Sequence, residues 1–118
     1  MGVIIIYITH PDLKTAKKIV ASLMQSRLVA CGNFFPIQSS YWWKGKIENS
    51  KEIVSIVKTK KKNWEKVKSE VIKLHPYETP CIIKLDVEAN EDYESWVNQL
   101  PHSKLMGNSF LLKKLFLN

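Results

Sequence analysis

The feature that most constrains the fold of this 118-residue chain is a long stretch, residues 31–48, rich in aromatic and β-branched side chains. Such side chains favour extended strands. The sixteen residues from Asn33 to Glu48 would span about 53 Å when fully extended, whereas a small domain is about 30 Å across. Pro36 and Gly45 each indicate a bulge or an edge position, which would not halve that length. We therefore expect a hairpin that projects past its own domain.

Three aromatic residues, Tyr41, Trp42 and Trp43, are consecutive within the projecting part. Side chains alternate along a strand, so at least one of these rings points away from the helices of its own domain. A large exposed aromatic patch marks an interface. We therefore predict that the three residues form the contact of an oligomer, in which each arm lies on the next subunit of a ring. The alternative is an arm that folds back, or two shorter strands joined by a loop.

Hydrophobic periodicity in the rest of the chain predicts alternating strands and helices. Their order, β-α-β-β-α-β plus a terminal helix, indicates an α+β, ferredoxin-like sandwich with helices on one face of an antiparallel sheet. We assign no element after Pro101. The predicted elements are a strand over 3–8, a helix that starts at Pro11 with Asp12 in its first turn, hairpin strands over 31–48 and 52–60 with a tight turn at Asn49–Ser50, a helix from its N-cap Asn63 to Pro76, a strand over 81–87 and a helix capped by Asn90.

Length and charge restrict the class of protein. A chain of 118 residues predicts one domain over 1–118. The net charge of +7 permits a nucleic-acid partner, but RNA-binding sheets of this order need stacked aromatics on their central strands. Only Tyr7 meets that need, so we expect no nucleic acid. The apolar run Val3–Ile8 is too short to span a membrane. Two cysteines without a CxxC pair fit a reducing, cytoplasmic setting.

Several motifs together resemble the CutA divalent-cation tolerance family over roughly residues 3–100. Thr9–Asp12 is similar to the first strand-to-helix turn of that family. The resemblance implies a ferredoxin-like protomer in a homotrimer, cytoplasmic in bacteria, related in architecture to the PII signalling proteins, and linked to tolerance of copper and other divalent cations without an established catalytic activity. The motifs are Ala30–Asn33, Ser40–Glu48, Val57–Thr59, His75–Pro80 and Asp92–Trp96.

The candidate metal ligands are His75, Cys31 and Glu78, which we expect to meet around a cleft between subunits. We expect the bound ion to be copper or another divalent cation. We expect no required cofactor. Imidazole and thiolate suit copper. Some family members carry a cysteine where this chain has Ile8, and a double histidine where it has Leu74 before His75. His10 and Cys81 are further candidates, and none of the five residues lies at a ligand spacing such as CxxC or HxxxH.

Other interpretations of the same residues stay open. The two cysteines suit small buried side chains, His75 suits a helix end where it satisfies carbonyls, and Tyr77 with Glu78 suits a hydrogen-bonded loop. No catalytic arrangement is readable, so we predict a protein that is not an enzyme. The alternative function is a small-ligand sensor that uses clefts between subunits, by analogy with PII trimers. The chain lacks a glycine-rich phosphate loop, which disfavours a nucleotide ligand.

Overall fold

The structure is a computed structural model that describes residues 2–100. The tail 101–118 and the predicted helix stop at Pro101 lie outside these residues. The predicted α+β, ferredoxin-like fold is confirmed: the described residues form an antiparallel sheet with strand order β2-β3-β1-β4. The elements are β1 (Val3–His10), α1 (Leu13–Gln25), β2 (Cys31–Trp43), β3 (Lys46–Lys60), a short 3-10 helix (Lys61–Asn63), α2 (Trp64–Leu74), β4 (Ile82–Val87) and α3 (Glu91–Asn98).

The hairpin turns at Lys44–Gly45, so the prediction of a turn at Asn49–Ser50 was wrong. Lys44 and Gly45 have φ angles of 50° and 80°, and positive φ at both central residues is typical of a two-residue hairpin turn that matches strand twist. Asn49 and Ser50 instead pair across the ribbon with Ser40 and Ser39. Gly45, for which we expected a bulge or an edge position, is therefore part of the turn itself.

The predicted projection of the hairpin is confirmed. β1 ends at the His10–Ile53 pair, and the ribbon continues beyond it as residues 37–52, which we call the arm. The register between β2 and β3 is unbroken from Cys31–Lys58 to Trp43–Lys46, so Pro36 lies in an edge strand and not at a bulge. The described residues measure 51 × 27 × 25 Å along their principal axes. The arm makes this part of the chain about twice as long as it is wide.

The two faces of the sheet are covered differently. On one face, Ile4, Ile6 and Ile8 of β1 pack into a core with apolar residues of α1 and α2. On the opposite face, Val3 packs against Trp96 of α3. The prediction of all helices on one face was therefore wrong for α3. This helix covers one end of the second face, because its apolar side chains pack there against the ends of β1 and β4.

The remainder of the second face, which we call the open face, carries apolar side chains without a covering element among the described residues. Side chains on this face alternate with core side chains along each strand. Phe35, Ile83 and Leu85 are 40%, 48% and 51% exposed there. The open face consists of Phe35 and Ile37 of β2, Ile56 of β3, Ile5, Tyr7 and Thr9 of β1, and Ile83 and Leu85 of β4, whereas Val54 on the same side of β3 is fully buried.

Two helix starts differ in detail from the prediction. Asp12 is the N-cap of α1, where its Oδ1 accepts a hydrogen bond from the Thr15 amide at 2.7 Å, so α1 begins after the predicted Pro11. Asn63 precedes α2 but makes no capping bond. Its side chain instead donates to the Leu28 carbonyl at 3.1 Å and to the Thr59 hydroxyl at 3.1 Å, which ties the 3-10 helix to β3 and to the end of the α1–β2 connection.

Candidate functional site

Two stacked histidines lie where β1 ends. His10 is fully buried and its ring centroid lies 5.4 Å from that of His75, at an interplanar angle of 21°. His10 Nε2 lies 2.7 Å from the Ser55 hydroxyl. His75 Nε2 lies 2.7 Å from the Thr9 carbonyl oxygen, and the Tyr77 amide donates to His75 Nδ1 at 3.1 Å. Because a carbonyl accepts and an amide donates, the His75 hydrogen is on Nε2, and both ring nitrogens are engaged.

Burial controls the protonation of His10. Its pKa is lowered from 6.5 to about 4, mainly because burial disfavours the charged ring and also because His75 is close. Glu52 and Asp12 act in the opposite direction but do not compensate. His10 Nδ1 has no hydrogen-bond partner in the described part of the chain. The ring is therefore neutral near pH 7 and serves the packing between β1, β3 and the end of α2.

The loop after α2 is tied to the base of the arm by one hydrogen bond. The Tyr77 hydroxyl donates to Glu52 Oε2 at 2.7 Å. The pKa of Tyr77 is raised, mainly by burial and further by this bond to Glu52, so the phenol keeps its proton and remains a donor. The pKa of the Cys81 thiol is also raised, first by burial and then by Glu52. The loop interpretation of Tyr77 fits this geometry.

Cys31 lies at the other end of the open face, beside α3. Its Sγ is 3.8 Å from Lys58 Nζ and 3.9 Å from Asn33 Oδ1, and Lys58 Nζ also donates to Asn33 Oδ1. The pKa of the Tyr93 hydroxyl is raised by burial and by its hydrogen bond to Cys31. The thiol is therefore half-buried, with polar groups beside its sulfur and with the apolar cluster that contains Trp96 packed against the same residue.

A single chain does not bring the three predicted metal ligands together. Cys31 pairs with Lys58, which pairs with Ile5 in β1, whereas His75 contacts Thr9. Four residues of strand separate Ile5 from Thr9, which is about 13 Å, whereas two ligands of one metal ion lie within about 5 Å of each other. Among residues 2–100, no group of three or more His, Cys, Asp or Glu side chains could hold a metal ion.

Glu78 belongs to a cleft of about 810 Å³ between the arm, the open face and the loop after α2. Tyr41, Trp42 and Trp43 of the arm line the same cleft, together with Tyr7, Thr9, Glu52, Tyr77 and Cys81. Sequence reasoning missed Glu52 as a site residue. Its position depends on the register that pairs it with Ile37, and the misplaced turn concealed that register.

The arm aromatics alternate between the two sides of the ribbon, as expected. Tyr41 and Trp43 are 43% and 40% exposed on the side that continues the open face. Trp42 points to the other side, where it is 72% exposed beside its cross-strand partner Ile47. Lys44 Nζ lies 5.6 Å from the centroid of the Trp43 ring. The arm thus holds large apolar area in water, and its role as an interface stays a prediction.

Of the helices within residues 2–100, none has the length and apolar character needed to cross a membrane.

The chain is similar to known proteins over most of its length. The sequence profile described as "CutA1 divalent ion tolerance protein" matches residues 4–100. The chain is 46% identical to the divalent-cation tolerance protein CutA of Pyrococcus horikoshii over 95 residues, which cover 80% of this chain and 93% of that protein. The corresponding protein of Thermotoga maritima is 42% identical over 97 residues, which cover 81% and 96%.

Solved structures agree with the sequence comparison. The periplasmic divalent cation tolerance protein CutA of Archaeoglobus fulgidus superposes with a TM-score of 0.80 at 40% identity, covering 82% of this chain and 96% of that one. CutA1 from Oryza sativa superposes with a TM-score of 0.81 at 31% identity, covering 84% and 93%. The predicted resemblance is confirmed, and the chain belongs to the CutA1 divalent ion tolerance family.

Proposed function

We propose that this protein is a non-enzymatic divalent-cation tolerance protein that acts as a homotrimer and binds copper or another divalent ion. The observation that carries the proposal is the uncovered apolar open face together with the arm that extends from it. The relatives reported above are named for cation tolerance and not for a reaction, which supports a role without catalysis.

Self-association is the physical means of covering these surfaces. Ile83 and Leu85 on β4, and Tyr41 and Trp43 on the arm, keep between 40% and 51% of their area exposed in a single chain. Burial of apolar area stabilises an assembly by about 25 cal/mol per Å². A ring gives every subunit one arm to donate and one surface to receive it. The trimeric number follows the family resemblance, and light scattering tests it: we expect three times the protomer mass of 13.7 kDa, and a mass of one protomer would contradict the proposal.

The metal proposal requires ligands from more than one subunit, since one chain keeps Cys31 far from His75. Glu78 is exposed in the cleft, and His75 would have to exchange its bond to the Tyr77 amide for a bond to the ion. An arm or sheet of a neighbour would bring the missing ligand.

A titration with Cu(II) and with Cu(I) tests the three ligands. We expect the variants His75→Ala, Cys31→Ser and Glu78→Gln each to bind copper at least tenfold more weakly than the wild type, because each would remove one ligand. Glu91→Gln, an exposed carboxylate in α3, is the matched control and should bind like the wild type. Equal affinity of His75→Ala and wild type would remove His75 from the site.

The remaining expectations concern compartment and partners. The cytoplasmic location stays a prediction, and cell fractionation tests it, since the Archaeoglobus fulgidus relative is described as periplasmic. The absence of a nucleic-acid partner also stays a prediction, supported by central strands β1 and β3 that offer Tyr7 for stacking, since the ring of His10 is fully buried. The sensor alternative gains no support from the relatives, and the two carboxylates of the cleft disfavour an anionic ligand.

A further inference from the structure

The helical layer, which we define as residues 13–28 and 61–74, carries the excess positive charge of the chain. It contains nine of the eighteen lysines and arginines but two of the eleven carboxylates. Its net charge therefore equals the +7 of the whole chain. Residues 81–100 have the opposite composition, with five carboxylates and one lysine. The positive charge is thus concentrated on one part of the molecule.

Most lysines of the helical layer have no acidic partner in the described part of the chain. Lys68 Nζ forms an ion pair with Glu65 Oε2 at 2.7 Å. The pKa of Lys60, which precedes the 3-10 helix, is lowered first by burial and then by Lys62 and Lys66, so lysines of two elements act on the same place. The exposed lysines of the layer without an ion pair to a described residue are Lys14, Lys17, Lys18, Lys61, Lys62, Lys66 and Lys73.

Apolar side chains are exposed on the same helices. Ile72 and Leu74 flank Lys73 in α2 and are 55% and 40% exposed, and Met24 near the end of α1 is 43% exposed. Lysine stems add further apolar length beside such side chains. Lysines combined with exposed apolar side chains are typical of protein surfaces that lie at a membrane–water interface.

The helical layer lies away from the surfaces that we assign to the subunit contact. α1 and α2 pack on the face of the sheet that carries Ile4, Ile6 and Ile8. The open face is the opposite side of that sheet, and the arm extends beyond the end of β1. The layer therefore stays accessible when another subunit covers the open face.

The chain continues from a point beside this layer. Leu100 is the last described residue, and its carbonyl accepts a hydrogen bond from Lys60 Nζ. Residues 101–118 contain eight apolar side chains, three lysines and no carboxylate side chain. They also follow the segment that matches the family profile. The composition of this tail suits the same kind of partner as the helical layer.

We propose that the helical layer binds the surface of a lipid bilayer that contains anionic lipids. The lysines lie against the anionic headgroups, and Met24, Ile72 and Leu74 reach the boundary with the acyl chains. Each lysine near such a surface adds attraction, which falls off within a Debye length. The proposal does not depend on metal binding.

A nucleic acid would also attract the lysines, but the layer offers no ring on which a base can stack. Its one aromatic residue is Trp64. The Nζ atoms of Lys68 and Lys84 lie 5.3 Å and 5.9 Å from the centroid of that ring. The exposed apolar side chains and the blocked ring therefore favour lipid.

Co-sedimentation of the full-length protein with lipid vesicles, in the presence of a chelator, tests the proposal. We expect binding to vesicles of equal parts phosphatidylserine and phosphatidylcholine, and no binding to vesicles of phosphatidylcholine alone. Raising the salt from about 0.1 M to about 1 M shortens the Debye length from about 10 Å to about 3 Å, so it should weaken binding at least tenfold.

Charge reversal locates the contact. Lys14→Glu with Lys18→Glu, both at exposed positions of α1, should weaken vesicle binding at least tenfold. Addition of Glu88→Lys and Glu91→Lys to this variant restores the net charge at exposed positions outside the layer and should not restore binding. Restored binding would show that net charge alone attracts the vesicles and would overturn the proposal.

A second variant keeps the test valid if the charge reversal fails to fold. Lys66→Gln with Lys73→Gln removes two exposed charges of α2 and should weaken binding at least threefold, with an unchanged far-UV circular dichroism spectrum. Equal binding to both kinds of vesicle, or unchanged binding by the folded variants, would also overturn the proposal. Tighter binding of duplex DNA than of vesicles, with the same dependence on Lys14 and Lys18, would replace the bilayer by a nucleic acid.

Discussion

At the scale of single residues, His10 links the stability of the fold to pH. Its pKa is about 4 in the folded protein and 6.5 in an unperturbed chain. Between these values the unfolded chain binds a proton that the folded chain does not, so the free energy of unfolding decreases as the pH falls from 6.5 to 4. Above pH 6.5 the His10 ring is neutral in both the folded and the unfolded chain, so its effect on the free energy of unfolding no longer changes with pH.

We predict that the titration of His10 lowers the free energy of unfolding by about 3 kcal/mol at acid pH, since each unit of pKa difference corresponds to about 1.36 kcal/mol. Urea unfolding at pH 7.5 and pH 4.5, at a fixed protomer concentration and with a chelator, measures it. His10→Gln removes the titrating ring, so the difference between the two pH values should shrink by most of that amount. An unchanged difference in His10→Gln would assign the acid sensitivity to another group.

Gly45 permits the turn of the arm because it has no Cβ. Its φ of 80° lies in the left-handed region, and a Cβ added there would meet nothing within 4 Å. The penalty of Gly45→Ala is therefore purely conformational, and we predict a loss of about 1 kcal/mol in unfolding free energy. Gly45→Asn is the matched control, because asparagine tolerates this region. Equal stability of all three proteins in urea would show that the turn is not constrained.

At the scale of elements, the arm is a two-stranded ribbon that its own domain does not support. β1 ends at His10, and an isolated two-stranded hairpin is marginally stable in water. Trp42 is 72% exposed and Trp43 40%. The regular structure of the arm is therefore explained best if another subunit covers these rings, as proposed above.

Replacement of Trp42 and Trp43 together by alanine should weaken the assembly because it removes the largest apolar area of the arm. Light scattering over a dilution series should show dissociation at a protomer concentration at least tenfold higher than for the wild type. Met24→Ala, which truncates an exposed apolar side chain of α1, is the control and should leave the series unchanged. An intact assembly of the double variant at every dilution would argue against the arm as the contact.

At the scale of the whole molecule, we expect changes on the open face to affect assembly without affecting folding. The main core lies between the sheet and helices α1 and α2, and a second cluster lies under α3. Neither cluster includes a residue of the open face, so we expect the fold not to need that face. Ile83 and Leu85 are about half exposed in the single chain. Charge at these positions should therefore affect association far more than folding.

The double variant Ile83→Lys and Leu85→Lys should give folded single protomers, seen as the protomer mass by light scattering with an unchanged far-UV circular dichroism spectrum. The physical reason is the cost of desolvating two ammonium groups at an apolar contact. Ile72→Lys, which changes a side chain of α2 that is 55% exposed, is the matched control and should assemble normally. Assembly of the double variant would place the subunit contact elsewhere.

The sequence by itself determined the types and order of the elements, and the excess length of the hairpin. These properties are local, because period-2 and period-3.6 patterns and proline breaks act over a few residues. Tyr41, Trp42 and Trp43 alternate as any strand requires. The family followed from several short motifs, and the comparisons confirmed it.

Only the tertiary structure decided the position of the turn, the side of the sheet that α3 covers, the stacking of His10 on His75 and the entry of Glu52 into the cleft. Each depends on contacts between residues far apart in the chain. A one-residue change of register moves every side chain of a strand to the other face, and nothing in a local pattern fixes that register. For the same reason the sequence did not reveal that Cys31 and His75 lie far apart in one chain. The proposed metal site therefore requires ligands from more than one subunit.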